Sequence, residues 1–201
     1  MAINTVIFDL GGVVFRYDPL ERLQQFAAFT GETAETVRKR LIDSGYSQSC
    51  DLGRFKGERA YREGLHMLGH RMTMEHFRNI WISVFEPNEE VVALVRRLKT
   101  HAAIALMTNN SDLVKDGLEA AYPEVLELFR PRLYSSDLGV MKPDPRLYQI
   151  ALNLMNSEPA ETLFIDDAAK HIAGAQTLGL VTHHFRSAEI LEKELTTMKL
   201  L

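Results

Sequence analysis

An aspartate near the amino terminus follows a short apolar run and precedes two glycines. The run 5–8 ends at Asp9, and Gly11 and Gly12 come shortly after it. A carboxylate in this place can act as a nucleophile or bind a hard cation through oxygen. The glycines would let backbone amides approach a phosphate closely, because no side chain intervenes. Taken alone, the segment leaves open whether Asp9 is catalytic or only caps a turn.

Two adjacent aspartates follow another apolar run. Asp166 and Asp167 come directly after residues 162–165. Two like charges so close together repel, and a bound divalent cation is the usual way to keep both ionised. Asp167 could also cap the amino end of a helix starting at Ala168, but that role does not explain Asp166. The pair therefore favours a metal site.

Two further segments carry groups that suit a phosphate. Thr108 offers a hydroxyl donor at the end of an apolar run, and Asn109 and Asn110 add amide donors. Lys142 precedes Pro143, which disfavours helix and places the lysine in an extended loop, where its ammonium suits the neutralising of phosphate and carboxylate charge. The ordinary alternatives are a helix cap for the first segment and a solvated surface lysine for the second.

The elements that must position these groups alternate between strand and helix. Short apolar runs typical of buried parallel strands occur at 5–8, 103–107, 132–134, 162–165 and 180–182. Helical periodicity lies between them at 89–100, 112–121, 146–155 and 168–178. This alternation predicts an α/β fold with a parallel sheet flanked by helices. Since ligands bind at the carboxyl ends of such strands, we expect the polar residues above to converge.

A stretch from about Asp18 to Phe85 interrupts the alternation. It has helical patterns at 20–29, 34–42, 59–68 and 74–85 and no convincing strand. This predicts a wholly helical insert between the first two strands of the sheet. The expected domains are a Rossmann-like core of residues 1–16 and 87–201 and a helical cap of residues 17–86.

Composition excludes several classes of function. The 201 residues carry 23 basic and 27 acidic side chains, a formal net charge of −4 and no run of like charge, so we expect neither nucleic acid nor an anionic membrane as partner. The single cysteine, Cys50, points to a reducing compartment. No apolar run approaches the ~20 residues that span a bilayer, and the amino terminus lacks the charged region of a signal peptide. A soluble, cytoplasmic protein is expected.

With these segments identified, the sequence resembles the haloacid dehalogenase superfamily of phosphatases over its whole length. The resemblance implies a Rossmann-like sheet with a helical cap that closes over the site. It implies Asp9 as nucleophile, Thr108 as phosphate-binding hydroxyl, Lys142 as charge-neutralising lysine, and Asp166 and Asp167 as the acidic metal pair. The order and spacing of these short motifs make their combination specific.

The resemblance also implies a cofactor and a substrate class. Mg²⁺ would be bound by Asp9, the backbone carbonyl of Gly11, Asp166 and Asp167. The segments around the nucleophile, the lysine and the acidic pair look most like the subgroup containing α-D-glucose-1-phosphate phosphatase. The expected activity is hydrolysis of a small phosphomonoester, such as a hexose 1-phosphate, through an aspartyl-phosphate intermediate. We expect this ester as the partner of a monomer or homodimer.

Gly11 departs from the family pattern. Most family phosphatases carry a second aspartate at this position as general acid and base, whose help is commonly worth ~10²–10⁴-fold in rate. The glucose-1-phosphatase-like subgroup is similar in lacking it. A leaving group that needs little protonation, such as the anomeric oxygen of a sugar 1-phosphate, would fit this site.

Two alternatives remain open at this point. A 2-haloacid dehalogenase would use Asp9 without a metal, although the paired acids count against it. A non-catalytic protein would bind a phosphate ligand without hydrolysis, because fold does not secure function. Among residues outside the motifs, we regard Arg16, Arg54 and Lys56 as candidates for substrate contacts.

Overall fold

A parallel sheet forms the centre of the computed structural model, which describes residues 2–201. The strands in this range are β1 (Thr5–Phe8), β2 (Phe15–Tyr17), β3 (Phe85–Pro87), β4 (Ala103–Thr108), β5 (Arg132–Tyr134), β6 (Thr162–Asp166) and β7 (Val181–His184). Five of them form the sheet, in the order β5-β4-β1-β6-β7, with parallel pairing throughout. The predicted α/β fold is confirmed, and this order places the carboxyl ends of β4, β1 and β6 side by side.

Helices cover both faces of this sheet. Those in residues 2–201 are α1 (Pro19–Thr30), α2 (Ala34–Arg38), α3 (Tyr46–Asp51), α4 (Gly57–Leu68), α5 (Met74–Ile82), α6 (Glu89–Leu98), α7 (Asp112–Ala121), α8 (Pro123–Leu126), α9 (Ser135–Leu138), α10 (Pro145–Met155), α11 (Ala169–Gln176) and α12 (Ala188–Thr197). The predicted helix at 34–42 is divided into α2 and a π-helical turn, Lys39–Asp43. Within the described range, no helix has the length and apolar character that a membrane span requires.

The central strand shows why its sequence forms a buried parallel strand. Val6, Ile7 and Phe8 are all fully buried. Because side chains alternate across a strand, Val6 and Phe8 pack in the larger hydrophobic core on one face and Ile7 in the smaller core on the other. Burying each such side chain stabilises the fold by about 1.5–3 kcal/mol. The position of Asp9, directly after this strand, is therefore fixed firmly.

A short antiparallel ribbon lies where the chain enters and leaves the helical segment. Strand β2 pairs with β3, with Tyr17 opposite Phe85. The helix predicted at 74–85 ends instead at Ile82, and Phe85 begins β3. The reason is tertiary: the Phe85 ring stacks on that of Tyr17, with centroids 4.9 Å apart. The division into a core of 1–16 and 87–201 and a cap of 17–86 stays a prediction, with this ribbon at both boundaries.

Candidate active site

The carboxyl ends of β1, β4 and β6 meet at one cavity of about 230 Å³. Asp9 follows β1, Thr108 ends β4 and Asp166 ends β6. Most of the residues predicted for the site line this cavity, namely Asp9, Gly11, Thr108, Asn109, Asn110, Lys142 and Asp167. Asp166 lies fully buried in contact with Lys142, and Gly12 lies against Asp167.

The ammonium of Lys142 lies between two carboxylates. Its Nζ is 2.8 Å from Oδ1 of Asp9 and 2.7 Å from Oδ2 of Asp166, and it donates to the carbonyl of Met107 at 3.1 Å. Burial alone would lower the pKa of Lys142, but the charges of Asp9 and Asp166 raise it. The lysine is therefore a charged, buried member of the site rather than a solvated surface residue.

Asn109 holds the loop that carries this lysine. Its Nδ2 donates to the carbonyl of Lys142 at 2.9 Å, and its Oδ1 accepts from the Lys142 backbone N–H at 2.8 Å. This paired contact ties the end of β4 to the lysine loop and gives Asn109 a positioning role. The predicted contact between its amide and a phosphate stays a prediction.

The pKa values of Asp9 and Asp166 are shifted in opposite directions. Burial raises the pKa of Asp9, and the Lys142 charge opposes that rise. Burial would also raise the pKa of Asp166, but the hydrogen bond from His171 and the charge of Lys142 lower it. Asp166 also accepts a hydrogen bond from the Ala168 N–H at 2.8 Å. The carboxylate that contacts the backbone just before α11 is therefore that of Asp166 rather than that of Asp167.

His171 was not among the predicted site residues. Its Nδ1 lies 3.0 Å from Oδ1 of Asp166, and its ring lines the cavity. The ligand atoms of Asp9, Asp166 and His171 lie within 4.8 Å of one another. Because Nδ1 is engaged with Asp166, the ring orients that carboxylate. Its place in α11, one turn beyond the acidic pair, was the available sequence signal.

The oxygen groups in this cluster fit a magnesium ion. The carboxylates of Asp9 and Asp166 contact one ammonium, and Asp167 and Gly11 line the same cavity, so negative charge exceeds positive charge. Mg²⁺ prefers such oxygen ligands and would balance this charge. Burial and the neighbouring Asp166 charge raise the pKa of Asp167, which a bound cation would reverse.

Gly12 has a backbone conformation and a close neighbour that a residue with a side chain would not tolerate. Its φ is +84°, and a Cβ there would lie 2.2 Å from Oδ2 of Asp167. We expect Gly12→Ala to displace this carboxylate and weaken Mg²⁺ binding by about tenfold or more, as measured by calorimetric titration. Gly31→Ala is the matched control, since its φ is +72° and nothing lies within 4 Å of the added Cβ. Equal Mg²⁺ affinity in the two variants would contradict a role for Asp167 in the metal site.

An aromatic pair occupies the space next to Gly11. A Cβ at this glycine would lie 3.4 Å from Cε1 of Phe85 and 3.6 Å from Cβ of Tyr17. A methyl group at this position would contact both residues, so the stacked rings of Tyr17 and Phe85 border Gly11 on its side-chain face.

The helical segment supplies the remaining wall of the cavity. The residues involved, none of which was predicted from the sequence to lie at the site, are Tyr17, Arg22, Ser47, Asp51, Trp81 and Phe85. The arginine on this wall is Arg22 rather than the expected Arg16 or Arg54. Lys56 instead pairs with Asp137 at 3.3 Å.

Comparison with known proteins identifies the family. Residues 3–179 match the model of the haloacid dehalogenase-like hydrolases. The chain therefore belongs to this family, as its motifs predict, and it is a hydrolase by family.

Individual relatives are similar over nearly the whole chain. A D-ribitol-5-phosphate phosphatase from Bacteroides thetaiotaomicron is 25% identical over 204 residues, covering 98% of each chain. A sesquiterpene phosphatase from Aspergillus oryzae is 27% identical and covers 90% of this chain and 89% of its own. A solved haloacid-dehalogenase-family enzyme from B. thetaiotaomicron, in complex with magnesium and inorganic phosphate, superimposes with a TM-score of 0.82 at 19% identity, covering 92% of this chain and 95% of that one. Because the sequence identity is only 19%, this superposition establishes the fold alone.

Proposed function

We propose that this chain is a magnesium-dependent phosphatase that hydrolyses a small phosphomonoester through an aspartyl phosphate on Asp9. The observation that carries the proposal is the buried Asp9 carboxylate, held 2.8 Å from Lys142 in a cavity lined by oxygen groups suited to Mg²⁺. Two relatives named as phosphatases and a structural neighbour holding magnesium and phosphate support it.

The contacts of Asp9 favour one of its two oxygens as the nucleophile. The Leu10 N–H donates to Oδ1 at 2.7 Å, and Lys142 Nζ contacts the same atom. Oδ2 is then the oxygen that forms the bond to phosphorus as the ester oxygen departs. Water next hydrolyses the acyl phosphate, releasing inorganic phosphate and restoring the carboxylate. Bound Mg²⁺ supplies charge neutralisation for the phosphate, which reduces its repulsion of Asp9.

Thr108 and Lys142 hold the phosphate oxygens in this proposal. Nδ2 of Asn110 donates to Oγ1 of Thr108 at 2.7 Å. Because Thr108 Oγ1 acts as the acceptor in this hydrogen bond, its hydroxyl hydrogen can be donated to a phosphate oxygen in the cavity. Asn110 therefore acts by orienting the threonine, and Lys142 adds its charge to the transferring group.

The finer proposal is a sugar phosphate such as a hexose 1-phosphate. With Gly11 in the family's acid position, a leaving group that departs with little protonation is favoured, and an anomeric oxygen is such a group. A polyol phosphate with a primary alkoxide, like the substrate in the name of the Bacteroides relative, is the competing possibility. The cytoplasm, whose reducing conditions suit the buried thiol of Cys50, is the proposed location.

Phosphate release from a panel of esters tests this proposal. The panel comprises glucose 1-phosphate, glucose 6-phosphate, ribitol 5-phosphate and p-nitrophenyl phosphate, each with Mg²⁺ and with chelator. We expect release only with Mg²⁺, and a glucose 1-phosphate rate at least ~10-fold above that of glucose 6-phosphate, since general acid help at this position is worth that much or more. Equal rates on the two glucose esters would contradict the leaving-group argument. No release from any ester, with chloride release from 2-chloropropionate, would favour the dehalogenase alternative.

A further inference from the structure

Arg22 is buried without the partners that a buried guanidinium normally has. It lies in α1 and is 5% exposed, and its Nε and Nη2 have no hydrogen-bond partner in residues 2–201. Its Cζ lies 4.6 Å from the ring centroid of Trp81 and 5.5 Å and 5.7 Å from those of Tyr17 and Phe85. Cation–π attraction stabilises the charge, but aromatic rings supply no acceptor oxygen. A buried polar group left without a partner calls for one, and Arg22 lines the cavity.

Asp51 lies on the same wall and carries the opposite charge when ionised. It ends α3 and lines the cavity that holds Asp9 and Arg22. Burial raises the pKa of Asp51 to about 7, although the charge of Arg22 and the backbone of Ser111 lower it. Within the described part of the chain, no ion pair of 4.0 Å or less joins Asp51 to Arg22. The two groups therefore line one cavity without contacting each other.

The chemistry of this pair determines which ligand groups can bind beside it. A ligand carboxylate would suit Arg22 but repel ionised Asp51, and an ammonium would suit Asp51 but repel Arg22. A hydroxyl satisfies both, because its oxygen accepts and its hydrogen is donated. Tyr17 lines the same cavity and is 40% exposed, so its ring offers apolar contact to the carbon–hydrogen side of a carbohydrate.

We infer that Arg22 and Asp51 bind hydroxyl groups of a polyhydroxylated leaving group, with Arg22 donating to a hydroxyl oxygen and Asp51 accepting a hydroxyl hydrogen. This rests on the proposed phosphatase function and adds to it the two residues that recognise the alcohol part of the ester. They belong to the helical segment, opposite the strand ends that bind the phosphate. Both are specificity residues, and neither takes part in the chemistry at phosphorus.

A matched set of esters tests the inference. We compare kcat/KM for ribitol 5-phosphate with that for n-pentyl phosphate, which has the same carbon chain without hydroxyls. A site that hydrogen-bonds substrate hydroxyls strongly rejects the analogue lacking them, so we expect the wild type to prefer the polyol ester by at least ~10²-fold. Arg22→Met and Asp51→Leu should each reduce this preference to below ~10-fold, because neither new side chain forms a hydrogen bond with a hydroxyl. The readout is the ratio of the two rates within each variant, so a change in turnover common to both esters cancels.

Two exchanges of the same kind outside the cavity serve as controls. Arg16→Met changes an exposed arginine on β2, and Asp43→Leu changes a surface aspartate paired with Arg38 at 3.2 Å. Both should retain the full preference. Thermal unfolding reports whether each variant folds, and Asp51→Leu, which has nearly the same size and shape as the native residue, carries the test if Arg22→Met does not fold.

Several outcomes would overturn the inference. Equal use of the two esters by the wild type would do so, as would a preference for 5-phosphoribonate, which carries a carboxylate, over ribitol 5-phosphate. A loss of rate in the variants that is equal for the two esters would show a role in catalysis or folding instead. Failure of the proposed function is distinguishable, because the wild type would then release no phosphate from p-nitrophenyl phosphate. In that case calorimetric affinities for the two esters decide, and equal affinities in the wild type would reject hydroxyl recognition.

Discussion

Asp9→Asn is expected to lower kcat for phosphate release by about 10⁴-fold or more, because a neutral amide is not an effective nucleophile toward phosphorus. The amide has nearly the same shape as the carboxyl, and its oxygen can still accept from the Leu10 N–H and Lys142. The variant should therefore fold and keep the cavity. Initial rates on p-nitrophenyl phosphate and glucose 1-phosphate with saturating Mg²⁺ measure the effect.

The same substitution should leave the protein at least as stable near neutral pH. Burial raises the pKa of Asp9 in the folded state above its value in the unfolded chain. The stability linked to such a group is full below the unfolded pKa and is lost as pH rises through the folded pKa. Asp9→Asn removes this loss, so its stability relative to wild type should increase as pH rises from about 4 toward 7.

The control for Asp9→Asn is the identical exchange at Asp43, whose carboxylate pairs with Arg38 at the surface. Asp43→Asn should retain wild-type rates, since exposed ion pairs contribute about 0–1 kcal/mol. Turnover by Asp9→Asn above a few per cent of wild type would show that another group, or activated water, attacks phosphorus. A large loss of stability in the variant would make the rate measurement uninformative, and urea unfolding rules this out.

Lys142→Met is expected to lower activity by about 10³-fold or more and to reduce the free energy of unfolding by about 3–5 kcal/mol at neutral pH, because it leaves Asp9 and Asp166 buried without their shared counter-charge. The loss of stability should be smaller with Mg²⁺ present, since the ion would supply positive charge to the same carboxylates. Urea unfolding with Mg²⁺ and with chelator measures both effects.

The dependence of this loss on pH follows from Asp166. Its pKa is lowered in the folded state by His171 and Lys142, so its contribution to stability is present above the unfolded pKa and is lost as pH falls through the folded value. Removing Lys142 removes part of that contribution. The difference in stability between wild type and variant should therefore be largest near neutral pH and shrink as pH falls below about 4.

Lys39→Met is the matched control for this prediction. Lys39 pairs with Glu35 at 3.7 Å on an exposed helix surface, where removing the charge should change stability by less than about 0.5 kcal/mol. Equal stability of Lys142→Met and wild type at neutral pH would contradict the view that this ammonium balances two buried carboxylates. Full activity in the variant would separate Lys142 from the binding of phosphate.

The phosphate end of the site was predictable from sequence for a physical reason. Runs such as 6–8 and 163–165 are apolar throughout because their strands are buried on both faces, and Asp9 and Asp166 follow directly. In a parallel sheet the strands end at the same edge, so residues that follow different strands meet without any knowledge of side-chain packing. The extended loop at Lys142 was inferred from the following proline. Its contacts with Asp9 and Asp166 required the folded structure.

Which residues form the cavity wall opposite the strand ends depends on tertiary packing. The charged residues expected to contact substrate were Arg16, Arg54 and Lys56, whereas Arg22 and Asp51 line the cavity. Helical periodicity places Arg22 on a face of α1, but it does not say which distant element covers that face. Here the cover is Trp81 of α5 and the ribbon residue Phe85, far along the chain.

Gly11 illustrates both what the sequence predicts and what depends on tertiary packing. The amino-acid sequence alone excludes a carboxylate at this position, so any general acid of this enzyme comes from another residue. That the stacked rings of Tyr17 and Phe85 occupy the adjoining space is visible only in the folded structure. The local hydrogen-bond ladder fixes where a strand ends, whereas the wall opposite it depends on how separate elements pack, which no local pattern encodes.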